Sequence, residues 1–222
     1  MNSKLSALLV TVLTGAVAVP LLSSTTEAVA PMPASYEVRV TNLTRGQILS
    51  PVLLANHDRS ADLFEAGESA SGDLALLAEE GDASLLAAAL MNDPGVSAVR
   101  VGSGVLPPGA SETFSFDATT RHLSMATMLV VTNDAFAGLD AVLLPEDSLT
   151  LYAPAYDAGT ERNSERCEYI PGPPCGSGGA HDPAPAEGFV HVHPGFRGVG
   201  SLAAHPYDWR NPVAKIEIRR VN

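Results

Sequence analysis

Tyr156-Asp157-Ala158-Gly159-Thr160-Glu161 places two carboxylates four residues apart with a glycine between them. Glycine takes positive φ at little cost, so this segment can curl and aim both side chains at one point. Carboxylates that converge repel each other unless a cation separates them. Hard cations such as calcium collect several oxygens from carboxylates, carbonyls and water. A second acidic loop, Thr132-Asn133-Asp134-Ala135-Phe136-Ala137-Gly138, lies upstream. The expectation is that the two loops meet and hold a calcium ion. Spacing alone leaves another reading open, two solvated acidic turns, because Asp, Asn and Gly favour turns anyway.

Other reactive side chains are less organised. On a strand, His191-Val192-His193 would turn both imidazoles to one face, and with His181 or His205 they would make a zinc or copper site. His193 precedes Pro194-Gly195, a turn, and no cysteine or carboxylate is closely spaced with the histidines. The expectation is therefore that His191, His193 and His205 are not metal ligands. Ser201 and His205 lie four apart, but no glycine-flanked nucleophile turn surrounds Ser201. A hydrolase using Asp134, Asp157 and Glu161 is the enzymatic alternative. Exported glycosidases line their grooves with aromatics, whereas aromatics are 5% of this chain, with one tryptophan. Trp209 is read as packing against the end of the fold, and no catalytic residue is assigned.

These loops need a scaffold, and hydrophobic periodicity points to strands. Tyr36–Asn42 alternates as a half-buried strand does. Ile48–Leu54 reads as a second strand, edge or bulged because of Pro51. Between residues 60 and 91 the period changes. Ser60 is placed to cap a short helical turn, Asp73 a helix carrying Leu74, Leu76, Leu77 and Ala78, and Asp82 another with Leu85, Leu86, Ala89 and Leu90. Gly81 separates the helices, and their Leu/Ala stripe reads as core cover. Strands resume at Ser97–Val101, Thr113–Phe116, Met125–Val131, Leu139–Leu144, Leu149–Leu151 and Pro212–Val221. The Met125–Val131 run is nearly all apolar, which fits a central strand buried on both faces. Residues 172–188 read as a long loop. About eight short strands separated by turns predict an all-β fold, an antiparallel β-sandwich, with a short helical insertion near residues 60–91.

Residues 1–30 resemble a secretory signal: Lys4, an apolar run from Leu8 to Leu22, and the small-x-small pattern Ala28-Val29-Ala30. Residues 31–222 then suit one exported domain, secreted, periplasmic or at the cell surface. Of 222 residues, 13 are Lys or Arg and 25 Asp or Glu. Removing Lys4 and Glu27 with the signal leaves the net charge at −12. Such a balance disfavours nucleic acid and bare anionic membrane as partners and suits cation binding. The two cysteines, Cys167 and Cys175, read as a disulfide in an exported chain.

Thr132-Asn133-Asp134 with Phe136 and Gly138, then Leu139-Asp140, Tyr156-Asp157-Ala158-Gly159-Thr160-Glu161 and Pro212-Val213-Ala214-Lys215-Ile216 together resemble the spondin N-terminal domain of F-spondin and mindin, found also in exported bacterial proteins. The resemblance spans roughly residues 35–222. It implies an antiparallel β-sandwich with a calcium site at one end, and carried over by motif the ligands are Asp134, Asp157 and Glu161, with Asp140 either a further neighbour of the ion or a turn residue. Ala135 stands where the animal proteins carry tryptophan, Glu161 where they often carry aspartate. The function implied is a calcium-binding or adhesion module for an unknown protein or glycan ligand. Contact with a membrane surface is expected only through calcium.

Overall fold

The computed structural model describes residues 34–222, and the expected export signal at residues 1–30 lies outside them. The described chain is an antiparallel sandwich of two sheets. In chain order its elements are β1 (Ala34–Asn42), β2 (Leu53–His57), α1 (Gly72–Glu80), α2 (Ser84–Asn92), β3 (Val96–Val101), β4 (Ser111–Ala118), β5 (His122–Met128), β6 (Ala135–Leu143), β7 (Ser148–Ala153), β8 (Ala155–Asp157), β9 (His191–Val192) and β10 (Ala214–Arg220). One sheet has the order β4-β1-β10-β7, the other β3-β2-β5-β6-β8-β9. The all-β sandwich read from the sequence is the observed architecture.

Side-chain alternation explains how one chain feeds two cores. In the four-stranded sheet, Val38 and Val40 of β1, Phe114 and Phe116 of β4 and Ile216 and Ile218 of β10 point inward. They meet Leu54 of β2, Leu123 and Met125 of β5 and Ala135 and Ala137 of β6. The alternate residues Leu53, Ala55, Ala126 and Phe136 point the other way, against Leu74, Leu77, Leu86 and Leu90 of the helices. So β5 is buried along its whole length, because the sandwich covers one face and α1 and α2 the other. The helical stripe is core cover, as its pattern predicts, except that Leu85 and Ala89 are exposed.

Several local expectations are corrected. The expected strand Ile48–Leu54 begins only at Leu53 and runs on to His57. Pro51 has no N–H for a ladder, and Leu49 instead makes isolated bridges to Leu106 and Leu129. Ser60 starts no helix; its N–H and hydroxyl both donate to the Asp58 carboxylate, closing a turn. Helix α1 is capped by Ser71, whose side chain accepts the Leu74 N–H, not by Asp73, which sits in the first turn. The cap position of α2 is Ala83, although Asp82 accepts the Ser84 N–H. Gly81 ends α1 in the left-handed region, φ 72°. Strands β8 and β9 were not foreseen; at three and two residues they are too short to show a period.

This topology sets the two acidic loops side by side. Asp134 immediately precedes β6 and Asp157 ends β8, and these strands pair with Ala135 opposite Asp157. Strand β10 lies between β1 and β7 and so joins them into one sheet. No described helix is long and apolar enough to cross a membrane.

Candidate metal centre

The turn between β5 and β6 is held by its own residues. Leu129 N–H donates to Ala135 O at 2.8 Å. The Thr132 hydroxyl donates to Leu129 O at 2.6 Å and accepts from Ala135 N at 3.1 Å. Asp134 is thereby fixed at the mouth of β6. Across from it, Ala158 N–H donates to Asp134 O at 3.1 Å, which extends the β6–β8 pairing into the loop. The curl anticipated at Gly159 is present, with φ 66°. Asp157 Oδ1 accepts the Gly159 N–H at 2.8 Å, an Asx turn that starts the curl. A Cβ at Gly159 would lie 2.3 Å from Phe189 O.

The three sequence-predicted carboxylates are all withdrawn from solvent: Asp134 and Asp157 are 0% exposed and Glu161 2%. Asp134 Oδ2 accepts from Thr160 N at 2.9 Å and Glu161 N at 3.0 Å. Its other oxygen, Oδ1, is buried without a hydrogen-bond partner. Burial pushes the Asp134 carboxyl up to about 8; the Asp157 charge adds to this, while the Glu161 and Thr160 N–H groups act against it. Burial also raises Asp157, opposed by hydrogen bonds from Asn163 and Gly159. Glu161 is raised by burial as well, opposed by Asp182 N–H and Asn133. Three buried acids raised together leave a site short of positive charge.

Their partners include residues that sequence reasoning did not single out. Asp157 Oδ2 accepts from Asn163 Nδ2. Asn163 Oδ1 in turn meets His193 Nε2 at 2.9 Å, and His193 Nδ1 accepts the Gly195 N–H at 3.0 Å. Because a backbone N–H can only donate, His193 carries its proton on Nε2 and gives it to Asn163. Burial holds that imidazole neutral, its pKa lowered to about 3. A chain Gly195–His193–Asn163 thus orients Asp157. Asn163 lies two residues past the acidic motif and is the one link that its position could have suggested. Asn133, already inside the upstream loop, donates to Glu161 Oε1 at 3.2 Å and accepts from Glu165 N at 3.0 Å.

Glu161 faces partly away from the other two. Its Oε1 also accepts Asp182 N–H at 2.6 Å, and its Oε2 lies 3.6 Å from His181 Nδ1. Among the described residues, Glu79 of α1, Glu161 and His181 bring their ligand atoms within 4.8 Å of one another; Asp134 and Asp157 are not in that group. The structure therefore pairs Asp134 with Asp157 and sets Glu161 beside them, where its charge raises Asp134 further. Asp140 is not part of this cluster. It lies further along β6, near Asp62, His57 and His122.

His191 and His193 lie 3.8 and 3.9 Å from Asp157 Oδ2. The expectation that no carboxylate accompanies these histidines is corrected, since the β8–β9 pairing places His191 opposite Asp157. Trp209 packs at 4.9 Å on His193 and belongs to the inter-sheet core. Cys167 and Cys175 form the disulfide read from the sequence.

A family model described as Spondin_N matches residues 40–166, more than half of the chain, and the matched segment contains Asp134, Asp157 and Glu161. No curated protein matches the chain.

Proposed function

The chain belongs to the spondin N-terminal domain family, whose members are extracellular binding modules, and from this we propose that it is an exported, non-enzymatic adhesion module holding one calcium ion through Asp134, Asp157 and Glu161. The observation that carries the reading is Asp134 Oδ1, a buried carboxylate oxygen with no donor. A polar atom so placed costs free energy unless something fills its coordination. No lysine or arginine forms an ion pair with these acids among the described residues. The residues present suit a hard cation: Asp134 Oδ1 has no partner, Glu161 Oε2 meets only His181 Nδ1 at 3.6 Å, and a third carboxylate is oriented by Asn163 and Gly159. When bound, calcium supplies the positive charge that lets three adjacent acids ionise together.

The protein's own residues do the positioning. Thr160 and Glu161 N–H groups fix Asp134, the His193–Asn163 relay fixes Asp157, and Asn133 ties Glu161 to the β5–β6 turn. Burial of all three carboxylates argues against a hydrolase, which would need them open to a substrate. The ligand class is an extracellular protein or glycan, and the Cys167–Cys175 disulfide is in keeping with that compartment. Isothermal titration of the purified, EDTA-stripped protein with calcium tests the reading. One ion bound per chain, with the heat lost in Asp134→Ala, is expected. Absence of a binding heat in wild type, confirmed by a calcium-free metal analysis, would overturn it.

A further inference from the structure

Beside the acidic loops lies an open cavity of about 780 Å³. Arg162, Arg166 and Arg197 line it together with Tyr169, Asp182 and Glu187. Three arginines thus face two carboxylates in this lining, on a chain whose formal charge is −12. Arg162 and Arg197 enter no ion pair among the described residues. Arg166 pairs with Glu168 and stacks its guanidinium over Tyr169, 5.5 Å from the ring centroid.

The walls are built rather than casual. Glu165 is buried and accepts Arg197 N–H and Val199 N–H, each at 2.6 Å, through its two oxygens. It thereby ties the segment carrying Arg197 to the segment carrying Arg162 and Arg166. The disulfide closes the loop that presents Tyr169. Asp182 is held by its own N–H on Glu161 Oε1.

We propose that this cavity binds an acidic sugar, a uronate-bearing glycan. Guanidinium groups in forked geometry take a carboxylate. A bare phosphate or sulfate would gain the same arginines but would be repelled by Asp182 and Glu187. A sugar turns those two carboxylates to use, since its hydroxyls donate to them while its carboxylate faces the arginines. Tyr169, Pro183 and Ala184 also line the cavity and supply apolar surface for a sugar ring beside the charged groups. The inference deepens the binding-module reading by naming a ligand class, and it does not require the calcium ion.

The test is titration calorimetry of the full chain in EGTA, so that calcium cannot bridge sugar and protein. The probes are trigalacturonate, a neutral galactose trisaccharide, inorganic phosphate and a triglutamate peptide. Binding of trigalacturonate alone, weakened at least about tenfold in Arg162→Gln/Arg197→Gln, is expected. The calcium-dependent melting shift of that variant reports its fold and the neighbouring metal reading separately, and it should match wild type. Equal binding of the neutral sugar, of phosphate or of the peptide would overturn the proposal. So would absence of trigalacturonate binding, or undiminished affinity in a folded double variant.

Discussion

Replacing Asp134 by asparagine keeps the shape of the side chain and removes its titration. The amide oxygen can still accept the Thr160 and Glu161 N–H groups that Oδ2 now holds. Above about pH 5 the unfolded chain binds no proton here, because its ordinary pKa is 3.8, whereas the calcium-free native state keeps one until about 8. The native state thus binds more protons, and the stability it gains falls as pH rises through that window. From about pH 6 to about pH 9 wild type should lose about 2–3 kcal/mol relative to the variant. For a chain of this size that corresponds to about 5–10 °C in Tm. The assay is thermal melting of both proteins in EGTA across this range; the difference between them cancels the titrations they share. Near pH 6 wild type should already melt below the variant, and the gap should widen towards pH 9. Parallel curves would refute the reasoning, since Asp134 would then be ionised in the native state without help from a cation.

Three more outcomes follow from the same geometry. Gly159→Ala forces a Cβ to within 2.3 Å of Phe189 O at φ 66°, so it should destabilise the loop by about 1–3 kcal/mol and weaken calcium binding, both measurable in one melting series. Reducing or deleting the Cys167–Cys175 disulfide, with a sequence separation of 8, should cost about 2–3 kcal/mol by loop-closure entropy, and intact-mass analysis with and without reductant should show two thiols only after reduction. His193→Gln should lower calcium affinity about tenfold or more by releasing Asn163 from its orientation, with titration calorimetry as the readout and unchanged affinity as the contrary result.

Much of the scaffold was legible because its signals are local. Alternation in Tyr36–Asn42 and in the last strand placed Val38, Val40, Ile216 and Ile218 on the inner face where they lie. The apolar run Met125–Val131 announced a strand covered on both sides, though the strand spans His122–Met128 and Leu129–Val131 enter the turn that follows, and the Leu/Ala stripe announced its cover. What failed was short or competitive. β8 and β9 carry too few residues for a period, Pro51 cuts the ladder expected over Ile48–Leu54, and the Asp58 carboxylate draws the Ser60 N–H into a turn. At the candidate site the Asp157–Gly159 curl was readable, since an Asx turn and a positive φ are properties of neighbouring residues. The relay through Asn163 and His193 was not, because its members lie 30 residues apart and meet only when β9 joins β8. The same holds for His181, which reaches Glu79 of α1 from the long loop at 3.0 Å.

The most direct measurement of the central claim is thermal melting of wild type and Asp157→Asn, each in EGTA and in millimolar calcium. Calcium should bind mainly the native state, because only folding brings β6 and β8 together. Its stabilisation is then set by mass action, about 2.7 kcal/mol at a hundredfold excess over Kd. Wild type should show that upward shift. Asp157→Asn should lose most of it while melting at an equal or slightly higher temperature in EGTA. A wild type indifferent to calcium, or a variant with an undiminished shift, would contradict the account.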